Sequence, residues 1–172
     1  MSPPNSSWPK PARILLLTYD RADHISTSYR SSLIGVAGDR ANATKLKQMR
    51  KDDWVLIRIS TFPGFQASRP ARIVGKVIDQ RRGSPYPELL WEEEIETSAI
   101  VYPLRIPVSF ADGPRTKPGC VNWESLAALR LRGKDGAVLE DPQQWGIKFK
   151  TNVLADPSEV DAMLDLIARC AA

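Results

Sequence analysis

From Asp53 to Ser60 the chain alternates without a break, with Val55, Ile57 and Ile59 on one side of an extended strand and Trp54, Leu56 and Arg58 on the other. Successive side chains of a strand point to opposite faces, so both faces of this one are largely apolar and both need cover. Ala71 to Asp79 repeats the pattern, with Ile73, Gly75 and Val77 opposed to Val74, Lys76 and Ile78. Between them, Thr61 to Pro70 is expected to be a loop that turns at Pro63-Gly64 and carries Phe62 and Phe65 outward. Ile95 to Val108 is again β-rich, but Pro103 interrupts it and predicts an edge or a bend. So nearly continuous a β segment is suited to the wall of a barrel.

Ahead of it, Arg13 to Thr18 is an apolar run of strand length, closed by the polar Tyr19-Asp20-Arg21. Residues 22 to 34 place Ile25, Tyr29 and Leu33 at helical spacing, and Asn42 to Arg50 does the same with Leu46 and Met49. Leu33 to Asp39 is read as the loop between two short helices. The first 11 residues hold four prolines and form a flexible or extended lead-in that Trp8 pins to the body, leaving 12–172 as a single domain. Towards the C-terminus, Asn122 caps a short helix from Trp123 to Arg130, and Trp145 to Lys150 alternates like a strand. The clearest helix start is Asp156-Pro157 with Glu159 two residues on, leading into the apolar stripe Val160, Met163, Leu164 and Ile167.

The residues offer little to an enzyme. His24 is the single histidine, and Cys120 and Cys170 lack any metal-pair spacing, so neither a metal nor a cofactor is expected. The two cysteines read as isolated, reduced thiols. Serines 26, 28, 31 and 32 around His24 have no nucleophile-elbow context. Glu92-Glu93-Glu94, followed by Glu96, reads as the solvated start of a strand, because three consecutive side chains cannot face one site. No window approaches a membrane span and the first residues lack a signal-peptide pattern, so a cytoplasmic protein with no membrane contact is expected.

Charge is unevenly spread. Residues 1–51 hold nine Lys/Arg against three acids, a local net of +6 in a chain whose total is +4. Such a surface suits phosphates, since each neutralised phosphate releases counterions. The candidates for phosphate contact are Arg21, Arg40, Lys45, Lys47 and Arg50, with Arg81 and Arg82 in a second basic loop.

A strand ending in Leu17-Thr18-Tyr19-Asp20, a helix, Leu33-Ile34-Gly35-Val36, a Lys-rich helix, Asp52-Asp53-Trp54-Val55-Leu56 and Ile73-Val74-Gly75-Lys76-Val77 together resemble the EVE and YTH branches of the PUA-like superfamily. Trp91 followed by Glu92–Thr97 and Ala99–Leu104 is similar in layout to the YTH stretch in which a cage tryptophan precedes a strand. The resemblance covers roughly residues 13–110. It implies an α+β fold: a small mixed β-barrel flanked by short helices, with a C-terminal helix added.

The same resemblance implies a base pocket. Thr18, Tyr19 and Asp20 take the positions that hydrogen-bond a base or ribose, Ser32 and Leu33 line the pocket, and Trp91 is one wall of an aromatic cage. Ala37 departs from the pattern, which has a tryptophan directly after the Gly-Val pair. A pocket with that wall open could take a bulkier modified pyrimidine, or Tyr29 or Trp54 could supply the missing ring. The implied function is a nucleic-acid reader, of DNA or RNA, that flips a modified base into the pocket, as a prokaryotic sensor of modified DNA in restriction and defence or a reader of modified RNA, with a nuclease or NTPase as effector partner. Two rivals stand beside it: an ASCH-like enzyme acting on small molecules or nucleotides through Asp20, Lys76 or Glu94, and a protein-interaction domain using Phe62, Phe65 and the basic face.

Overall fold

The computed structural model describes residues 7–61, 64–80, 88–132, 138 and 151–172. The first strand, β1 (Ile14–Tyr19), leads into α1 (Ala22–Ser31), then β2 (Leu33–Val36) and α2 (Arg40–Leu46). The long pair β3 (Trp54–Thr61) and β4 (Gly64–Ile73) follows, then the two-residue β5 (Ile78–Asp79), α3 (Glu92–Thr97) and β6 (Leu104–Ser109). Helix α4 (Trp123–Ala128), β7 (Thr151–Leu154) and α5 (Pro157–Arg169) complete the described elements.

The strands form one curled half-barrel in the order β2-β6-β4-β3-β1-β7, with β5 also on β6. Only β1 and β3 run parallel among these pairs, with Ile14 opposite Trp54 and Tyr19 opposite Ile59; the crossover between them carries α1, β2 and α2. Alternation along β3 then divides the interior in two. Val55, Ile57 and Ile59 join Leu15, Leu17 and Tyr19 in a core closed by Ile25, Leu46 and Met49. Trp54 and Leu56 join Ile14 and Leu16 in a second core under Val160, Met163, Leu166 and Ile167 of α5. Both apolar faces of the strand are covered, as its sequence requires.

Local chemistry sets the joints. Asp53 is buried and accepts from the backbone N–H groups of Arg13 (3.1 Å) and Arg50 (2.8 Å), tying the start of β1 to the end of α2. Asp156 caps α5 on Ser158, and Asn122 and Ser125 cap α4 reciprocally. Trp8 is buried edge-on against Trp54, and its Nε1 donates to the Ala111 carbonyl at 2.8 Å. Residues 7–11 are therefore fastened to the body, while 1–6 lie outside the described residues.

Several expectations need correction. Leu33–Val36 is a strand rather than a loop, paired antiparallel with Leu104–Pro107. The loop expected over Thr61–Pro70 is mostly strand, because β4 begins at Gly64; Phe62 and Pro63 lie outside the described residues. The strand expected to run from Ala71 to Asp79 stops at Ile73, where Val74 N–H turns to the Pro107 carbonyl and Gly75 packs on the Pro107 ring. The stretch Ile95–Val108 is not one strand: Ile95 to Thr97 end the helix α3, which starts at Glu92, and β6 begins directly after Pro103. Trp145–Lys150 lies outside the described residues, and the strand seen in that region is Thr151–Leu154.

The cysteines are also not isolated. Cys120 and Cys170 form a disulfide with Cα atoms 5.6 Å apart, across 50 residues of chain. The pairing is invisible to spacing because α5 brings the chain end back beside the loop before α4. Lys117 N–H donates there to the Cys170 carbonyl, and Ala172 N–H to that of Arg115.

Candidate functional site

A small cavity opens where β1 and β2 end side by side. Its walls are Leu17, Thr18, Tyr19 and Asp20 from the end of β1, Gly35, Val36 and Ala37 from the end of β2, His24 from the first turn of α1, and Tyr102 from the segment before β6. Counted to its open mouth it spans about 280 Å³, but a water-sized body can move in only about 10 Å³ of that. The pocket is thus closed down to roughly a single water.

Four rings run through this region edge to face. Tyr19 and His24 lie 5.2 Å apart, His24 and Tyr102 5.5 Å, and Tyr102 and Trp91 5.5 Å. Polar tips fix three of these rings, while the buried Trp91 Nε1 makes no hydrogen bond among the described residues. The Tyr19 hydroxyl bonds Ser28 at 2.9 Å, and burial pushes its pKa up to about 12 against the pull of Ser28 and of the Gly35 backbone. His24 Nε2 donates to both Glu93 oxygens, at 2.8 and 2.9 Å, and the Tyr102 hydroxyl donates to Glu93 at 3.2 Å. Burial alone would raise the Glu93 carboxyl, but its own backbone N–H, His24 and Tyr102 hold it below the usual carboxylate range. The Tyr102 phenol is raised, by burial first and then by the Glu93 charge.

The three consecutive glutamates have three fates, which overturns the reading of them as a solvated run. Glu92 is exposed beside Arg21, Glu93 holds His24 and Tyr102, and Glu94 is fully buried. Glu94 accepts from the backbone of Leu90, Trp91, Val101 and Tyr102, and from Arg105 at 3.1 Å. That carboxylate closes the loop carrying Tyr102, and so many donors leave it nothing to offer as a catalytic base. Helical geometry allows this division, since adjacent residues point about 100° apart.

Of the expected pocket residues, the structure gathers Thr18, Tyr19, Asp20 and Ala37. Thr18 Oγ1 accepts from Arg58 Nε at 2.7 Å; Arg58 is itself buried, and burial lowers its pKa to about 10. Ser32 and Leu33 are corrected: Ser32 is the exposed left-handed C-cap of α1, and both stand at the opposite end of β2 from Ala37. Trp91 is corrected as well. It is fully buried behind the cavity rather than in its wall, packed on the Gly35 backbone and under the Arg105 guanidinium at 5.1 Å. Neither Trp54, which is core, nor Tyr29, which stacks on Phe110 at the other end of α1, supplies a ring to the pocket. The aromatic walls come instead from His24 and Tyr102. A lone histidine and a tyrosine before a strand carry no spacing signal, so sequence reasoning missed both.

The basic residues are less concentrated than their count suggested. Arg21 sits at the rim but is held by Asp23 at 2.9 Å and lies 3.6 Å from Glu92. Arg40 is exposed at the start of α2, three residues beyond Ala37. Lys45, Lys47 and Arg50 lie towards the other end of that helix, where Arg50 caps the carbonyls of Lys47 and Met49. Arg81 and Arg82 lie outside the described residues.

No family model matches the chain, and no curated protein matches it in sequence. Solved structures do. The YTH domain of Zygosaccharomyces rouxii MRB1, crystallised in complex with N6-methyladenosine RNA, superposes over 97% of this chain and 94% of its own with a TM-score of 0.56 at 13% identity. The fold is that of a YTH domain. The Pho92 YTH domain in complex with m6A gives a TM-score of 0.52 at 14% identity, over 86% of this chain and 89% of its own. The mmi1 YTH domain in its RNA complex gives 0.51 at 10% identity, over 95% and 85%.

Proposed function

We propose that this chain reads a modified base in a nucleic-acid strand by taking the flipped base into the pocket between the ends of β1 and β2, and that it binds without catalysing a reaction. The observation that carries this is the lining itself. Thr18, Asp20 and the backbone from Gly35 to Ala37 bring polar groups, and the His24 and Tyr102 rings bring aromatic surface, to one cavity. Two domains sharing the fold were solved on N6-methyladenosine ligands, which supports the same use here. Arg40, exposed three residues past Ala37, is open to a phosphate, whereas Arg21 at the rim is held by Asp23. A flipped base costs a few kcal/mol in lost stacking, and a closed pocket offsets this only for the base it fits.

The cavity as it stands holds roughly one water, so the rim must open, and Asp20, Ala37 and Tyr102 are the lining residues that lie outside strands and helices. Fluorescence anisotropy with single-stranded oligonucleotides, identical but for one modified base, tests the reading. Stacking is worth about 1–3 kcal/mol per base. Tyr102→Ala should therefore cut the preference for the modified strand by about tenfold, with unchanged far-UV circular dichroism. Equal affinity of the wild type for modified and unmodified strands would overturn the proposal.

A further inference from the structure

At the end of α1 away from the pocket, Tyr29 is the one exposed aromatic among the described side chains, 43% open to solvent. Its ring rests on a fixed base. Phe110 stacks against it with centroids 4.3 Å apart and planes 26° from parallel, and Phe110 in turn is packed on the first core. Tyr29 itself belongs to neither core.

Two arginines flank the ring. The Arg69 guanidinium, on β4, stands 5.5 Å from the ring centroid, and its Nη1 donates to the Tyr29 hydroxyl at 3.4 Å. Arg30 follows Tyr29 on α1 and donates from Nη2 to Thr27 Oγ1, also at 3.4 Å. Both arginines are exposed, and among the described residues neither forms an ion pair; the exposed Asp112, two positions past Phe110, pairs with neither. Arg21, Arg72 and Arg105 differ, because each faces a carboxylate. Hydrogen bonds as long as those of Arg30 and Arg69 are weak, so both guanidinium groups are free to turn to a stronger acceptor such as a phosphate.

An aromatic ring held on a packed base beside two such arginines suits a single-stranded nucleic acid. An unpaired base of any identity stacks on the ring, and the guanidinium groups meet the backbone. An acidic peptide would use the arginines and leave the ring idle. Taking the nucleic-acid partner from the proposed function, we infer that Tyr29, Arg69 and Arg30 form a second contact for the strand, one that holds it whether or not it carries a modified base. This contact begins five residues beyond His24 of the pocket, about 7.5 Å of helix rise along α1.

Fluorescence anisotropy with an unmodified single-stranded oligoribonucleotide and with its duplex, at several salt concentrations, tests the contact. Tyr29→Leu keeps apolar bulk on Phe110 without a ring; it should weaken single-strand binding about tenfold and duplex binding less than about twofold, with unchanged far-UV circular dichroism. Tyr29→Phe keeps the ring and should bind the single strand within about twofold of wild type. Arg69→Gln should flatten the slope of log affinity against log salt by about 0.7, the share of one phosphate on a single strand. These losses should be equal for the paired strands that test the pocket, leaving the ratio between modified and unmodified unchanged. Tyr29→Leu binding the single strand as tightly as wild type, or losing single strand and duplex alike, would overturn the inference and leave the pocket reading standing. A Tyr29→Leu loss in a protein that prefers no modified strand would remove the pocket reading and leave this contact in place.

Discussion

The indole of Trp91 lies against the backbone of Gly35 with no room for one more carbon: a Cβ built on Gly35 falls 2.4 Å from Cη2 and 2.8 Å from Cζ2 and Cζ3. This contact fixes the height of β2, and with it the Val36-Ala37 edge of the pocket. Gly35→Ala should destabilise the protein by about 1–3 kcal/mol through overpacking. Trp91→Ala, which empties a fully buried site, should cost about 3–5 kcal/mol. Urea unfolding measures both. A Trp91→Ala protein as stable as wild type would show that the ring does not support the sheet.

The disulfide closes a loop of about 50 residues between the segment before α4 and the end of α5. Chain entropy alone assigns such a cross-link about 4 kcal/mol. Unfolding midpoints with and without a reductant, compared with a Cys120→Ser/Cys170→Ser double variant, should show that loss, and reductant should have no effect on the variant. Identical midpoints for the oxidised and reduced wild type would contradict this role.

Tyr19 supplies a pH test. Burial raises its pKa to about 12, whereas the unfolded chain releases the same proton near the ordinary value of 10. The folded state holds the proton more tightly, so the contribution is complete below pH 10 and is lost as pH rises from 10 to 12. The limit of that loss is about 3 kcal/mol. Tyr19→Phe should flatten the stability profile across this window, and an unchanged slope would mean that the phenol ionises without cost in the folded protein.

What could be read from the chain, and what could not, divides on physical grounds. The faces of β3, the caps Asn122 and Asp156, the buried Leu46 and Met49, and the pinning by Trp8 were legible because periodicity and capping are local. The pocket's β1 side, Thr18 to Asp20, and Ala37 followed from the resemblance. Trp91 was misplaced because an isolated tryptophan gives no sign of whether it faces a cavity or fills the space left by a glycine 56 positions earlier. His24, Glu93 and Tyr102 were missed as a unit, since their contacts span 69 and 9 residues. The Cys120–Cys170 bridge was hidden for the same reason: long-range return of the chain leaves no trace in spacing.

Amide chemical shifts give the most direct test of where a ligand goes. In a 1H–15N titration with a single-stranded oligonucleotide bearing one methylated base, the account predicts the largest shifts at Tyr19, Asp20, Gly35, Val36 and Ala37. The unmodified strand should move mainly exposed basic sites such as Arg40. Shifts confined to the basic end of α2 for both strands, with the Gly35–Ala37 edge undisturbed, would contradict it.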